Sequence, residues 1–488
     1  MKAATFTLRT ALAFASALAL SACAVGPDYR PPASLPADQA RLAELSGTTA
    51  VTDAPAATQW WHLFEDPALD RLVAKALAHN TDLRVAAANV RRARGLLSEA
   101  RAAALPTTTT SGQFTRSRNV VNFGQGLTGF TQEVYTAGLD ASYELDLFGG
   151  VRRSIEASRG DIGAAEAALD AARVSVAAET ALTYANACAT GAQAQVARDT
   201  LALQEKTLDL TRRLLAGGRN TQRDVDQSVV LVEQARAQAA GFEAERRASL
   251  YALAVLTGEP PASFDAAAAA CVTPPAVRAP IAVGDGQALL ARRPDVRQAE
   301  RQLAADTARI GVATAALYPS ISLLGSVTTT GLSPSDLGTS DSFGYSVGPL
   351  ISWNFPFSGA ARARVRQNKA IAEGSLASFD KAVLTALQET EQALARLKGA
   401  IEREEALSRA LKASESAAFI AEKRFGAGSD SFLQLLDAQR SRADARAAYA
   451  DAQAARAESQ VALFKALGGG WEGAPQPVAA GQEPSGTR

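Results

Sequence analysis

The sequence predicts an α+β membrane protein with an internal duplication, in which pairs of amphipathic strands alternate with very long helices. Three observations support this fold class. Two segments of about 65 residues contain no proline, and alternating apolar and polar side chains mark the strands. In addition, residues 81–106 recur without gaps at 294–319.

Composition excludes several functional classes. The 488 residues carry 50 Lys and Arg against 50 Asp and Glu, and a nucleic-acid partner would favour a strong basic excess. Two histidines and one methionine are too few for a thioether or multi-histidine metal site. We therefore expect no nucleic acid, no bound metal and no cofactor.

The N terminus has the pattern of a bacterial secretory signal. Residues 1–22 place two basic residues before a short apolar run. The run ends in Leu-Ser-Ala-Cys, which resembles a lipobox, so Cys23 is expected to carry a diacylglycerol and a fatty acid that hold it in a membrane. An ordinary signal with a chance cysteine is the alternative. In lipoproteins of this type, a residue other than aspartate directly after the cysteine resembles an outer-membrane address, so Ala24 favours the outer membrane. The proline-rich segment 23–59 is predicted to be extended.

The duplication organises the rest of the chain. The 81–106 repeat has an offset of 213, and residues 213–227 echo 424–438 at an offset of 211. Both halves show the same order of elements, namely helix, strand, loop, strand, long helix, glycine-rich turn and helix. The predicted first repeat, linker, second repeat and tail are 60–257, 258–286, 287–467 and 468–488.

Period-two alternation predicts four strands in two hairpins. The predicted strands are 107–117, 134–148, 320–330 and 343–357, with external loops near 118–133 and 330–342. Aromatic residues eight positions apart flank the two clearest strands, at a spacing of about 26 Å that suits two membrane girdles. These girdle residues are Tyr135, Tyr143, Tyr345 and Trp353. Four strands cannot close a barrel, so subunits must pool their strands.

The long helices are predicted at 151–215 and 360–425, each about 97 Å long at 1.5 Å per residue. Return helices are predicted at 221–257 and 430–467. Soluble domains seldom need such lengths, whereas a coiled coil or a wall of helices does.

Other motifs carry little chemistry. Residues 344–348 fit G-x-S-x-G but lie within a predicted strand, and no histidine follows residue 79. Residues 124–129 fit G-x-G-x-x-G but open no helix, and are interpreted as an external loop. The cysteines form no disulfide framework. Cys188 is interpreted as a small buried apolar residue, Cys271 carries no signal, and whether either thiol is free stays open.

The chain resembles the TolC-type outer-membrane efflux family, most closely its lipoprotein, OprM-like branch. The resemblance covers nearly the whole mature chain. The segments that carry it are CAVGPDYRPP at 23–32, WWHLFEDPALDRLVAKALAHN at 60–80, YELDLFGGVRRS at 143–154 and the stretch from SFLQLLDAQ to ALGGGW at 431–471.

This resemblance implies a homotrimer whose four strands per chain form a twelve-stranded outer-membrane β-barrel, continued by a long α-helical periplasmic tunnel. Such a protein is not an enzyme. It would serve as the exit duct of a tripartite pump for drugs or other small toxic compounds. Its partners would be a periplasmic adaptor, an inner-membrane RND-type transporter and outer-membrane lipid of a Gram-negative bacterium.

The resemblance also implies a gate at the periplasmic end of the tunnel, where the helical hairpins turn and the adaptor docks. Asp437 matches the family's constriction region, and the position three residues earlier, acidic in some members, is Gln434. The first turn could supplement the ring with Asp224 or Asp226. The docking tips would contain Gly217, Gly218, Gly426 and Gly428.

Two alternatives stay open at this point. The same duct could serve type I protein secretion, and the long helices with their anchor would also fit a structural periplasmic coiled-coil lipoprotein. The latter does not explain two strand hairpins at matching places in a duplication.

Overall fold

The computed structural model describes residues 24–32, 40–45, 50–122, 127–353, 355 and 359–475. The signal peptide, the predicted lipidation site Cys23, parts of 23–59 and the end of the tail lie outside the described residues. Within this part of the chain, no helix combines the length and apolarity needed to cross a membrane.

Long helices and one sheet dominate the described chain. The helices are α1 (Pro67–His79), α2 (Thr81–Ala102), α3 (Gly150–Ala216), α4 (Gln222–Leu256), α5 (Ala266–Ala270), α6 (Gly286–Arg292), α7 (Pro294–Ala315), α8 (Ala360–Gly426) and α9 (Phe432–Ala466). The strands are β1 (Val51–Thr52), β2 (Thr107–Asn122), β3 (Leu127–Leu145), β4 (Ile281–Ala282), β5 (Ser320–Gly331) and β6 (Phe343–Ser352). All four predicted long helices begin and end within two residues of their predicted bounds.

The main sheet is antiparallel with the order β2-β3-β5-β6, and β1 pairs separately with β4 in parallel. Its register aligns the apolar alternation across strands. Leu139 lies opposite Val327, and Val327 lies opposite Tyr345. Because directly opposite residues share a face, one face collects the apolar side chains and the other collects mainly Ser, Thr and Gly. We name these the apolar face and the polar face.

The predicted loop bounds are wrong in the first hairpin. The ladder of β2 and β3 continues to the pair Asn122–Leu127, so most of the predicted loop 118–133 is strand. In the second hairpin β6 ends at Ser352, and residues 354, 356 and 357 of the predicted strand lie outside the described residues. The 330–342 connection instead contains two short 3-10 turns, at Pro334–Asp336 and Ser340–Ser342. Backbone ladders need no apolar alternation, so alternation underestimates a strand that extends beyond its apolar part.

The duplication is visible in element lengths. The long helices α3 and α8 each have 67 residues, α4 and α9 each have 35, and α2 and α7 each have 22. From the long helices onward the offset is a constant 210, as 150 to 360 and 222 to 432 show. The 211 offset inferred from the second sequence echo was therefore wrong by one residue.

The chain forms two compact units that each draw on both repeats. Unit 1 comprises 1–32, 90–165 and 298–379, and unit 2 comprises 33–89, 166–297 and 380–488. Unit 1 contains the main sheet. In it Arg309 of α7 pairs with Asp161 of α3 at 2.6 Å and with Asp306 at 2.6 Å. Buried Arg153 pairs with Asp28 at 2.6 Å, which fixes the segment 24–32.

A glycine sets the close approach of α3 and α7 in unit 1. A Cβ atom added at Gly160 would lie 2.9 Å from backbone atoms of Ala305, whereas one added at Gly241 in α4 would have nothing within 4 Å. We expect Gly160→Ala to destabilise, since overpacking costs about 1–3 kcal/mol and exceeds the helix-propensity gain of about 1 kcal/mol. The matched variant Gly241→Ala should stabilise by about 0.5–1 kcal/mol. Denaturant midpoints check both signs, and a stabilised Gly160→Ala protein would contradict the close approach.

Unit 2 corrects the interpretation of two cysteines. Cys188 of α3 is buried as predicted, but it forms a disulfide with Cys271, which directly follows α5. The backbone approaches so closely there that a Cβ atom at Gly191 would lie 2.4 Å from the Cys271 carbonyl oxygen. The linker is also fixed to α9, because the Gln460 amide donates to the Val277 carbonyl at 2.7 Å and accepts from its N–H at 3.0 Å. The linker is thus a strap bound across the helices.

Candidate functional site

Both helical hairpins of unit 2 turn through the same backbone motif. At the first turn the Arg219 N–H donates to the Leu214 carbonyl at 2.8 Å, and the Gly218 N–H donates to the Leu215 carbonyl at 2.9 Å. The second turn repeats this pair of bonds, from Ser429 and Gly428 to Arg424 and Phe425, at 2.9 Å each. This is the Schellman ending of a helix, which requires a left-handed residue.

Two of the four predicted tip glycines supply that conformation. Gly218 has φ +69° and Gly428 has φ +76°, a region that is costly for residues with a Cβ atom. Gly426 is the last residue of α8, and Gly217 precedes the left-handed residue, so neither has positive φ. The left-handed pair is separated by the same 210 residues as the helices.

A capping box starts the return helix at each tip. At the first, the Thr221 N–H and hydroxyl donate to the Asp224 carboxylate at 2.9 and 2.7 Å. At the second, the Ser431 N–H and hydroxyl donate to the Gln434 side-chain oxygen at 2.7 and 3.2 Å. Asp224 and Gln434, both predicted as gate residues, thus occupy equivalent places and hold the helix starts.

The two capping boxes differ in one titratable group, because the acceptor is Asp224 at the first tip and Gln434 at the second. This difference predicts that acid weakens the first capping box and leaves the second intact. Hydrogen bonds from the Thr221 backbone and side chain hold the pKa of Asp224 below its ordinary value. This contribution to stability is present above the ordinary carboxyl pKa of about 3.9 and is lost as pH falls through the lower folded-state value. We expect the Thr221 amide, which donates to the Asp224 carboxylate, to lose exchange protection in acid, while the Ser431 amide, which donates to Gln434, keeps its protection.

Hydrogen–deuterium exchange at neutral pH and over a series of decreasing pH values below the ordinary carboxyl pKa of about 3.9 measures this after correction for intrinsic rates. The control is Asp224→Asn, which gives the first tip an uncharged acceptor like that of the second. In this variant the acid response of the Thr221 amide should resemble that of the Ser431 amide. Equal acid losses at both wild-type tips would contradict the assignment.

Small apolar clusters support each tip. Leu208, Val225 and Val232 are buried between α3 and α4. Phe432, Leu435 and Leu436 form the second cluster, against which Leu231 of α4 also packs. The two hairpins therefore contact each other close to the turns. Next to the first cluster, the Thr207 hydroxyl donates a buried hydrogen bond of 3.3 Å to the side-chain oxygen of Gln439 in α9.

Asp437 lies in a groove between the return helices. The groove has a volume of about 250 Å³ and is lined by Gln227, Val230 and Leu231 of α4 and by Leu433, Leu436, Asp437 and Arg440 of α9. Leu433, Asp437 and Arg440 are exposed and follow helical spacing, opposite the buried side of α9. Within the described part of the chain, the side chain of Asp437 has no hydrogen-bond or ion-pair partner, so its carboxylate is available to ions or to another chain.

The 210 offset changes which residue of the first tip corresponds to Asp437. The equivalent position is Gln227, which lines the same groove. Asp226 instead corresponds to buried Leu436, and accepts from the Gln222 amide at 2.9 Å. Sequence reasoning missed Gln227 and Arg440. The exposed stripe of α9 could have indicated Arg440, and the correct offset Gln227.

The predicted girdle residues lie on the apolar face or just beyond it. Tyr135 packs against Phe114 with ring centroids 4.8 Å apart, and Tyr143 lies opposite Leu323. Tyr345 is 77% exposed on β6. Trp353 follows the last residue of β6, and its indole N–H donates to the Leu317 carbonyl at 3.1 Å. The single chain leaves this face open, and its role as a membrane girdle stays a prediction.

Comparison with known proteins agrees with this architecture. The family model described as "Outer membrane efflux protein" matches residues 72–259 and 286–469, one stretch in each repeat. The outer membrane protein OprJ of Pseudomonas aeruginosa is 33% identical over 461 residues, covering 93% of this chain and 95% of OprJ. The toluene efflux pump outer membrane protein TtgC of Pseudomonas putida is 33% identical over 469 residues, covering 93% of this chain and 94% of TtgC.

A solved structure shows the same fold. The outer-membrane channel OprN matches with a TM-score of 0.84 at 35% identity, over 92% of this chain and all of that one. The described helices, sheet order and hairpin tips are therefore consistent with the family match, which spans both repeats. The chain belongs to the outer membrane efflux protein family and is an outer-membrane efflux channel.

Proposed function

We propose that this channel is the exit duct of a tripartite pump that exports small organic compounds across the Gram-negative outer membrane. Three copies would pool their four-stranded sheets into a twelve-stranded barrel, apolar face toward lipid, and their helices into a periplasmic tunnel. The observation that carries the proposal is the family match over both repeats. A relative named for toluene efflux supports small organic cargo.

The partners in this proposal are a periplasmic adaptor at the hairpin tips and an inner-membrane RND-type transporter. The duct itself performs no chemistry and uses no cofactor, so the transporter supplies the energy. The two tips have the same backbone conformation because they share Schellman turns and capping boxes. An adaptor could therefore use one mode of contact on both.

The proposal includes a lipid anchor on Cys23. Residues directly after it are held tightly within unit 1, since the Val25 N–H donates to the Phe148 carbonyl at 3.1 Å. A Cβ atom at Gly26 would lie 2.5 Å from the Cα atom of Gly311. Palmitate labelling of wild type and Cys23→Ser tests the anchor, and label retained in the variant would refute it.

The exit-duct proposal predicts a gated pore. Purified full-length protein should migrate as a heat-sensitive trimer and give stepwise, cation-selective conductance in planar bilayers. The chain should also restore tolerance to toluene in a host that lacks its own efflux channel but retains adaptor and transporter. A folded protein that stays monomeric and gives no conductance would overturn the proposal.

A further inference from the structure

One cavity of unit 1 has the composition of a ligand site. It has a volume of about 390 Å³, and its lining includes Glu144, Asp146, Phe148, Tyr318 and Ser320. This volume lies within the range of about 300–1,000 Å³ that small-molecule pockets occupy. The cavity sits where β3 leads into α3 and where α7 leads into β5.

The two carboxylates of the cavity differ in their hydrogen-bond and ion-pair partners. Asp146 accepts from the N–H groups of Val151 and Arg152 at 3.0 and 2.8 Å, and pairs with the Arg152 guanidinium at 3.4 Å. Asp146 therefore caps α3, and its charge is offset. Glu144 is exposed, and within the described chain its side chain carries no hydrogen bond or ion pair. One negative charge is left without compensation at the cavity.

Aromatic rings provide the second feature. Phe148 and Tyr318 stack with centroids 4.6 Å apart and an interplanar angle of 13°. Tyr318 keeps 43% of its surface exposed. Aromatic faces attract cations, and flat rings stack on them. An aromatic cation would satisfy both the ring and the neighbouring carboxylate.

The sheet register shows on which face of the sheet the strand residues of the cavity lie. Glu144 lies opposite Ser322, and Ser320 lies opposite Ser352, all on the polar face. Asp140 and Glu144 are the ionisable residues on this face of the main sheet within the described strands, and both are acidic. A ligand approaching along the polar face thus meets negative charge only.

We propose that this cavity is a transit site for flat, lipophilic organic monocations, with the Glu144 carboxylate as counter-ion and Tyr318 as stacking surface. The proposal rests on the exit-duct function, in which the polar face lines the path of export. The site selects cations over neutral compounds through Glu144, and binds the ring system of either through Tyr318.

The test compares N-methylacridinium, a permanent cation, with acridine, its uncharged analogue at pH 7.5, by fluorescence titration of the purified full-length protein. Glu144→Gln should weaken binding of the cation by about fivefold, which corresponds to about 1 kcal/mol, and leave acridine unchanged. Tyr318→Leu should weaken both compounds. Asp140→Asn, four residues along the same face and outside the cavity, is the matched control.

A cation affinity that Glu144→Gln leaves unchanged would overturn the proposal. Equal losses in Glu144→Gln and Asp140→Asn would also overturn it, because they would show a general surface potential in place of a site. Bilayer conductance of the same preparations distinguishes a failure of the cavity proposal from a failure of the exit-duct proposal. A conducting wild type without Glu144-dependent binding refutes the cavity alone, whereas Glu144-dependent binding without conductance refutes the duct.

Discussion

Removing the Cys188–Cys271 disulfide is expected to lower the free energy of unfolding by about 2–4 kcal/mol, the range typical of native disulfides. The bond joins residues 83 positions apart, and the chain-entropy relation gives roughly 4.5 kcal/mol for a loop of that length. The strap it fastens also bonds to α9 through Gln460 and to α4 through Arg246, which donates to the Ala269 carbonyl. These polar contacts remain after the bond is removed, so we expect a weaker strap and a folded protein.

Two single variants separate the covalent link from packing. Cys271→Ser breaks the bond outside the helix core, whereas Cys188→Ala breaks it at a fully buried position in an alanine-rich stretch of α3. Guanidinium unfolding of the detergent-purified protein should give similar losses for both, and reduced wild type should match them. A loss confined to Cys188→Ala would assign the effect to packing within α3 and contradict the role of the strap.

The sequence could predict the long helices because their signals are local. Proline is absent along each, and a glycine with positive φ follows each end, at Gly218 and Gly428. The hairpin bounds depended on alternation, which fades where β2 and β3 extend beyond their apolar part. There an Arg116–Glu133 contact at 3.4 Å accompanies the ladder, a pairing that apolar alternation cannot reveal.

The tertiary features were beyond sequence reasoning for a physical reason. A disulfide between Cys188 and Cys271 requires the linker to return to α3, and nothing in either local sequence encodes that return. The groove around Asp437 likewise depends on which faces of α4 and α9 are buried against each other. The sequence analysis offered Asp224 or Asp226 as a supplement from the first tip, whereas the equivalent capping boxes at Thr221 and Ser431 make Gln227 the counterpart of Asp437.

Charge removal at Asp437 is expected to reduce cation selectivity of the channel by at least tenfold and to raise its conductance. In the proposed trimer three copies of this carboxylate would surround the axis at the narrow end. Each unit charge contributes about 1 kcal/mol at 4 Å even in water, and 1.4 kcal/mol is a tenfold change. Because no described residue donates to the Asp437 carboxylate, its charge would act fully on passing ions. Arg440, which lines the same groove, does not pair with it in the described chain.

Three variants distinguish charge, width and position in single-channel recordings. Asp437→Asn removes the charge at nearly constant size and should change selectivity, while Asp437→Ala should also widen the pore and raise conductance further. Asp444→Ala removes a carboxylate from the same exposed stripe two turns along α9, about 10 Å from Asp437. It should leave both properties nearly unchanged, because the constriction lies at the tip. If Asp444→Ala had the larger effect, the gate would lie higher in the tunnel, and if Asp437→Asn had no effect, Asp437 would be a solvated surface residue.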